Sequence, residues 1–140
     1  MLNIDYTTDV NNVTADMLEG FFVGWPNPPS SAMHLKILQS SYRAVVAIDA
    51  DMNRVVGFIN AVSDGVLSAY IPLLEVVETH QGKGIGRQLV TRMLDECKDL
   101  YMVDICHDAE LAPYYAQFGA LQGHASIFRN YAAQSGKADG

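Results

Sequence analysis

Cysteine is scarce: Cys97 and Cys106 are the only two, and neither belongs to a CxxC or a Cys/His ligand cluster. Two thiols cannot build a disulfide framework, so reduced, mostly buried thiols in a cytoplasmic protein are expected. Long apolar runs are absent as well. Nothing approaches the roughly 20 residues that a membrane helix requires, and interrupted segments such as Arg43–Ile48 are typical. The start, Met1-Leu2-Asn3-Ile4-Asp5, lacks the basic and apolar regions of a secretory signal. Basic residues are few, nine Lys and Arg against sixteen Asp and Glu, a net charge of −7. That balance excludes a general nucleic-acid binder, which needs a basic face to displace counterions from phosphates. The four histidines, at 34, 80, 107 and 124, do not have the spacing of a zinc set, and no metal is expected.

What is present is enough for one ordinary domain. A chain of 140 residues, 49% hydrophobic and 18% charged, can bury roughly 70% of its unfolded surface without staples. Thr14 is placed to cap a helix over 14–23, which must stop at Gly24-Trp25-Pro26-Asn27-Pro28-Pro29. Ser30 or Ser31 caps a second helix carrying Met33, Leu35, Ile37 and Leu38. Arg43–Ile48 and Arg54–Val62 read as an antiparallel hairpin, followed by a strand over 69–77 that Pro72 makes irregular. Ile85, Leu89, Val90, Met93, Leu94 and Cys97 form one stripe of a helix reaching about Leu100. Tyr101–Cys106 is a further strand, and a helix from Asp108 or Ala109 ends near Phe118, with Gly119 beyond it. A last strand is expected near Ser126–Phe128. The order ααβββαβαβ describes an α/β domain with an antiparallel first half and one βαβ crossover, over residues 1–133, with 134–140 a flexible tail.

The segment Gln81-Gly82-Lys83-Gly84-Ile85-Gly86-Arg87 lies between a strand and a helix. Glycines there leave several N–H groups free to point at one anion, and the helix start adds partial positive charge. Lys83, Arg87, Arg92 and Lys98 put four of the nine cations into this stretch. A phosphorylated ligand would use such a spot. The Walker pattern is absent because Gly84 follows Lys83, and the dinucleotide pattern fails because Arg87 stands where its third glycine belongs. A capping turn without a ligand is the simpler alternative, but it needs neither three alternating glycines nor two cations.

Gln81-Gly82-Lys83-Gly84-Ile85-Gly86 resembles the Q/R-x-x-G-x-G/A signature of the GCN5-related N-acetyltransferases, the GNAT superfamily. Tyr114-Tyr115-Ala116-Gln117-Phe118-Gly119 resembles the same family's F-Y-x-x-x-G-F segment, with Ala120 replacing the final aromatic. The resemblance implies a GNAT-like fold: a mixed, mostly antiparallel twisted sheet, splayed between its central strands, with helices on both faces. It implies acetyl-CoA as cofactor, its pyrophosphate on Gln81, Gly82, Lys83, Gly84, Ile85, Gly86 and Arg87, and its pantetheine along the main chain of Leu74 and Val76. The reaction implied is direct acetyl transfer to a primary amine of a small molecule or protein. A tyrosine often protonates the departing thiolate in the family, and Tyr115 takes that position. As general base, Glu75 and Asp104 are the candidates, with Glu78 and His80 near the loop. Where relatives often carry Asn, this chain has Asp108, which is unhelpful beside an anion unless it caps the helix. Cys106-His107 does not read as a nucleophile and base, because adjacent strand residues point to opposite faces.

Trp25, the only tryptophan, stands in the loop expected to wall the acceptor site, where it could stack on a cationic amine. The acidic surplus favours such an acceptor. The alternatives are a non-catalytic acetyl-CoA-binding module and transfer of a different acyl group. Neither nucleic acid nor membrane is an expected partner; a homodimer is compatible with the family.

Overall fold

The computed structural model describes residues 2–138. Five strands form one sheet in sequence order: β1 (Ile4–Thr7), β2 (Arg43–Asp49), β3 (Arg54–Ser63), β4 (Ser68–Val76) and β5 (Met102–Ile105). The first four pair antiparallel, and only β4 and β5 run parallel. This is the expected mixed sheet with one crossover, extended by β1, which the sequence reading passed over. α1 (Ser31–Gln39) and a 3-10 turn at Ala15–Leu18 cover one face; α2 (Ile85–Glu96) and α3 (Ala112–Ala116) cover the other. Among the described residues no helix is long and apolar enough to cross a membrane.

Strand alternation divides the core. On β2, Val45 and Ala47 meet the α2 side, whereas Ala44 and Val46 meet the α1 side. The stripe on α2 is buried as expected through Ile85, Leu89, Val90, Met93 and Cys97. Gly57 lets that helix approach: a Cβ there would lie 3.1 Å from both Ile85 Cγ2 and Leu89 Cδ1. On the other face Phe21, Phe22 and Phe58 surround His34, with ring centroids 4.3–5.2 Å from the imidazole. Burial holds the His34 pKa down at about 4, and neither ring nitrogen has a hydrogen-bond partner among the described residues.

Several boundaries differ from expectation. The helix over 14–23 is a single 3-10 turn, because Gly20 and Phe22 take positive φ and break the repeat. α1 starts as expected, with the Ser30 hydroxyl accepting the Met33 N–H at 3.1 Å. The helix after β5 is a 3-10 turn (Ala109–Leu111) followed by α3, with Pro113 in its first turn. No strand forms at Ser126–Phe128. Of the expected tail 134–140, Gln134 accepts the Asn27 N–H at 2.9 Å and Gly136 lies against Met33. Asp139 and Gly140 fall outside the described residues, as does Met1.

His34 gives the fold a pH dependence of known sign. Its folded pKa lies below the unfolded value of about 6.5, so the unfolded chain takes up the proton first. Stability is therefore full above pH ~6.5 and declines as pH falls towards about 4. His34→Leu should flatten the melting-temperature curve across that window; parallel curves for the two proteins would refute the assignment.

Candidate functional site

β4 and β5 are paired only through Ser68–Ile71 and Met102–Ile105. On the β3 side, the register moves between Asn60↔Leu73 and Val62↔Tyr70, so Ile71 and Pro72 together oppose Ala61. This is a β-bulge on β4, at a residue with no N–H to donate. Beyond it the strands part, and a cleft of about 430 Å³ opens between Pro72, Leu73, Leu74 and Glu75 on one side and Ile105, Cys106, His107 and Asp108 on the other. Trp25, Leu111 and Tyr115 complete its walls with Val23. The splay lies where Pro72 marked an irregular strand.

The main chain of β4 faces this gap at alternate residues. The Val77 N–H is bonded to Val56 O on β3, so the polar groups of Val76 and Leu74 point the other way. The Gln81 side-chain amide donates to Val76 O at 2.9 Å, tying the loop to the strand. Gly82 (φ 74°) and Gly84 (φ 84°) then turn the chain through left-handed conformations, which their neighbours would adopt only with strain. No side chain caps α2. The N–H groups at its start have no intrahelical acceptor, and with exposed Lys83 and Arg87 they form an anion cradle. Arg92 is not part of it: its guanidinium lies over the Tyr6 ring at 4.5 Å. These N–H groups and cations are donors that an anion could use, and beyond the paired residues the inward edge of β4 offers free main-chain groups to the cleft.

The cleft itself carries the opposite charge. Glu75 and Asp108 line it, and among the described residues that form its walls there is no Lys or Arg. Both Glu75 carboxylate oxygens accept the Phe22 N–H, at 2.9 and 3.1 Å. Phe22 holds the left-handed φ of 61° that aims this N–H. Burial raises the Glu75 pKa, opposed by the N–H groups of Phe22 and Val23. Asp104 is exposed on β5 and is not among the cleft residues. Asp108 precedes the 3-10 turn at Ala109–Leu111 without capping it through its side chain, and it is one of the exposed residues lining the cleft.

Tyr115 is buried, its pKa raised by burial and by neighbouring Tyr114. It stacks on His107, centroids 4.7 Å apart, and meets Tyr114 edge-on at 5.1 Å. The Tyr114 hydroxyl reaches the start of α2, 3.3 Å from where a Gly86 side chain would begin. Tyr114 thus connects cradle and cleft. The sequence reading set His107 aside together with Cys106; its Nδ1–H donates to Asp108 O at 2.7 Å. The alternation argument against Cys106 and His107 fails because β5 ends at Ile105, and both residues line the cleft. Trp25 packs on Phe22 at 4.9 Å and forms the opposite wall.

His80 lies outside the cleft. Its Nε2 meets Asp49 Oδ2 at 2.9 Å, and its Nδ1 meets Thr79 Oγ1 at 2.8 Å. Asp49 also accepts the N–H groups of Asp51 and Met52. The pair fastens the start of the glycine loop to the β2–β3 turn, which identifies His80 as a loop anchor.

These features coincide with a known family. The model of the GNAT acetyltransferase family matches residues 10–120. A candidate acetyltransferase from Deinococcus radiodurans R1 is 41% identical, superimposes with a TM-score of 0.93, and covers 97% of this chain and 94% of its own. A GNAT-family acetyltransferase from Streptococcus pneumoniae TIGR4 is 26% identical, TM-score 0.68, over 93% of this chain and 100% of its own. A candidate GNAT-family acetyltransferase from Xanthomonas campestris pv. campestris shares the fold, with TM-score 0.72, 16% identity and coverage of 96% and 99%. No curated protein matches the sequence. The fold and cleft thus define an acyl-transfer scaffold, and the chain belongs to the GNAT acetyltransferase family.

The Asp49–His80 pair predicts acid-sensitive stability. The hydrogen bond from His80, chiefly, holds the Asp49 pKa below its ordinary value. Its contribution is present above pH ~4 and lost as pH falls through the lowered pKa. His80→Ala should lower Tm by roughly 5–10 °C at pH 7, with a smaller difference from wild type at pH 3. An unchanged Tm at pH 7 would remove the anchor role.

Proposed function

We propose that this protein transfers the acetyl group of acetyl-CoA directly to a primary amine, with a cationic amine as the preferred acceptor. The carrying observation is the splay cleft, lined by Glu75, Asp108 and Tyr115, on the strand that leads into the uncapped, basic glycine turn at the start of α2. Acetyl-CoA, when bound, supplies an activated acetyl thioester. The N–H groups of Gly82, Gly84 and Gly86, with Lys83, Ile85 and Arg87, hold its pyrophosphate, and Gln81 braces the loop. Leu74 and Val76 offer main-chain hydrogen bonds to the pantetheine, as an added strand would.

The remaining roles follow from the cleft wall. Glu75 and Asp108 attract an ammonium group, and the Trp25 ring offers it a face. Glu75, buried enough for its pKa to rise, takes the proton that the amine must lose to become nucleophilic. The Val76 N–H faces the gap and donates to the oxygen on which negative charge develops. Tyr115, whose raised pKa keeps it protonated, donates a proton to the leaving sulfur. His107 holds the phenol by stacking. Asp104 is the weaker base because it is exposed outside the cleft.

Release of CoA across a panel of amines tests the reading. Turnover is expected with polyamines, aminoglycoside-like amines or basic peptides, and acetylation confined to neutral or acidic amines would refute the acceptor class. Tyr115→Phe should lower kcat about 100-fold or more while acetyl-CoA binding by calorimetry changes less than about threefold. Binding without turnover on any amine would instead favour a coenzyme-binding module.

Glu75 sets a pH limb. Its raised pKa puts the acid-side fall of kcat/KM above the ordinary carboxylate range, with activity declining as pH drops through that value. Glu75→Gln should remove the limb and lower kcat; an unmoved limb would transfer the base role to another group.

A further inference from the structure

The sheet loses a strand neighbour in a second place, on its opposite edge. β1 covers β2 only where Ile4–Thr7 meet Val46–Asp49. Beyond Thr7 the chain turns away, with the Asp9 N–H on Thr7 Oγ1 at 3.0 Å and the Asn11 N–H on Asp9 Oδ1 at 2.9 Å. Arg43, Ala44 and Val45 therefore have no strand beside them on that side among the described residues. A cavity of about 310 Å³ occupies the gap, between the segment after β1, the end of α1, the start of β2 and the end of α2. It shares no lining residue with the splay cleft, and its size suits a small metabolite.

One wall carries both signs of charge. Arg43 Nε lies 3.3 Å from Glu96 Oε1, Arg43 Nη1 donates to Tyr42 O at 2.8 Å, and the guanidinium lies 4.3 Å over the Tyr42 ring. Three contacts fix the direction of this planar group, so little freedom is left to lose on binding. Its Nη2 and the second oxygen of Glu96 have no protein partner among the described residues. The Thr8 hydroxyl and the Gln39 amide, also at the cavity, are equally unengaged. The other wall is apolar, with Leu38 and Ala44 buried beside Val10. Behind it Asn60, 2% exposed, stands opposite Ala44 and donates from Nδ2 to Ser41 Oγ at 3.1 Å, while its Oδ1 has no partner. Buried amide oxygens are normally paired, and this residue lies against two members of the cavity wall.

The charge pattern selects the guest. A lone anion or a lone cation would engage one member of the Arg43–Glu96 pair and strip the other of its partner. A zwitterion serves both, with its carboxylate on Arg43 and its ammonium on Glu96. The end of α1, where carbonyls carry partial negative charge, favours the ammonium as well. We infer that this cavity is a second ligand site, which takes a free α-amino acid whose apolar side chain lies against Val10, Leu38 and Ala44.

Nuclear magnetic resonance titration of the full chain with leucine, leucinamide and 4-methylpentanoate tests the site, because the three share one side chain and differ in charge. Leucine is expected to bind with a Kd of about 1 mM or tighter, and the two single ions about tenfold more weakly or worse. The amides that leucine shifts should centre on residues 38–44. Arg43→Gln and Glu96→Gln should each weaken leucine binding by about tenfold, with far-ultraviolet circular dichroism unchanged. Glu75→Gln, in the splay cleft, should leave leucine binding as it is. Weaker leucine binding than this, equal binding of either single ion, or shifts centred elsewhere would overturn the inference. So would binding that survives both Arg43→Gln and Glu96→Gln, or that is lost with Glu75→Gln.

Discussion

The parting of β4 from β5 after four paired residues is the constraint on which the site depends. Two strands in a regular parallel ladder would satisfy each other's main-chain groups and leave no room between them. The bulge at Ile71–Pro72 ends that ladder. Its consequences are several: main-chain groups of Leu74 and Val76 face a gap, Glu75 is half-buried beside it, and the chain leaving β5 becomes a wall. The glycine loop at the top of β4 then delivers the start of α2 to the mouth of the same gap. One irregularity thus produces both the channel and the access to it.

Charge is arranged along that channel. The chain is acidic overall, but the two cations of the glycine loop and the uncapped start of α2 meet at one end. Glu75 and Asp108 occupy the other. Net charge would not have distinguished this from a uniformly acidic surface, because it reports the sum and not the separation. The coenzyme and cationic acceptor proposed above would be drawn to opposite ends without competing for one field.

Support for the site comes from contacts that do not touch it. His80, bonded to Asp49, pins the loop start to a distant hairpin turn. Phe22, in a left-handed conformation, aims its N–H at Glu75 and sets Trp25 against the cleft. That conformation costs on the order of 1 kcal/mol or more, offset by the aromatic cluster around His34 into which Phe22 packs. Core and site are therefore coupled through one residue.

The glycine loop, the stripe of α2, the β2–β3 hairpin and the irregularity at Pro72 could all be read from the chain, because each depends on neighbours within a few residues. Leu74, Tyr115 and Trp25, which line the cleft, were singled out from the family resemblance and, for Trp25, from the loop that carries it. β1 was not legible, since four residues carry little periodicity, and the helix over 14–23 failed because positive φ at Gly20 and Phe22 overrode its apolar spacing. That Glu75 lines the cleft and Asp104 does not was beyond the sequence. It turns on a contact between residues 53 apart, fixed by strand register and the bulge. His107 enters the cleft beyond the end of β5, which stops one residue short of the expected Tyr101–Cys106, and alternation holds only while a strand lasts. The sequence by itself determined the central hairpin, the stripe of α2 and the glycine turn with its two cations, each of which depends on neighbouring residues. The tertiary structure decided which carboxylates face the cleft, because that depends on how distant strands align and where they part.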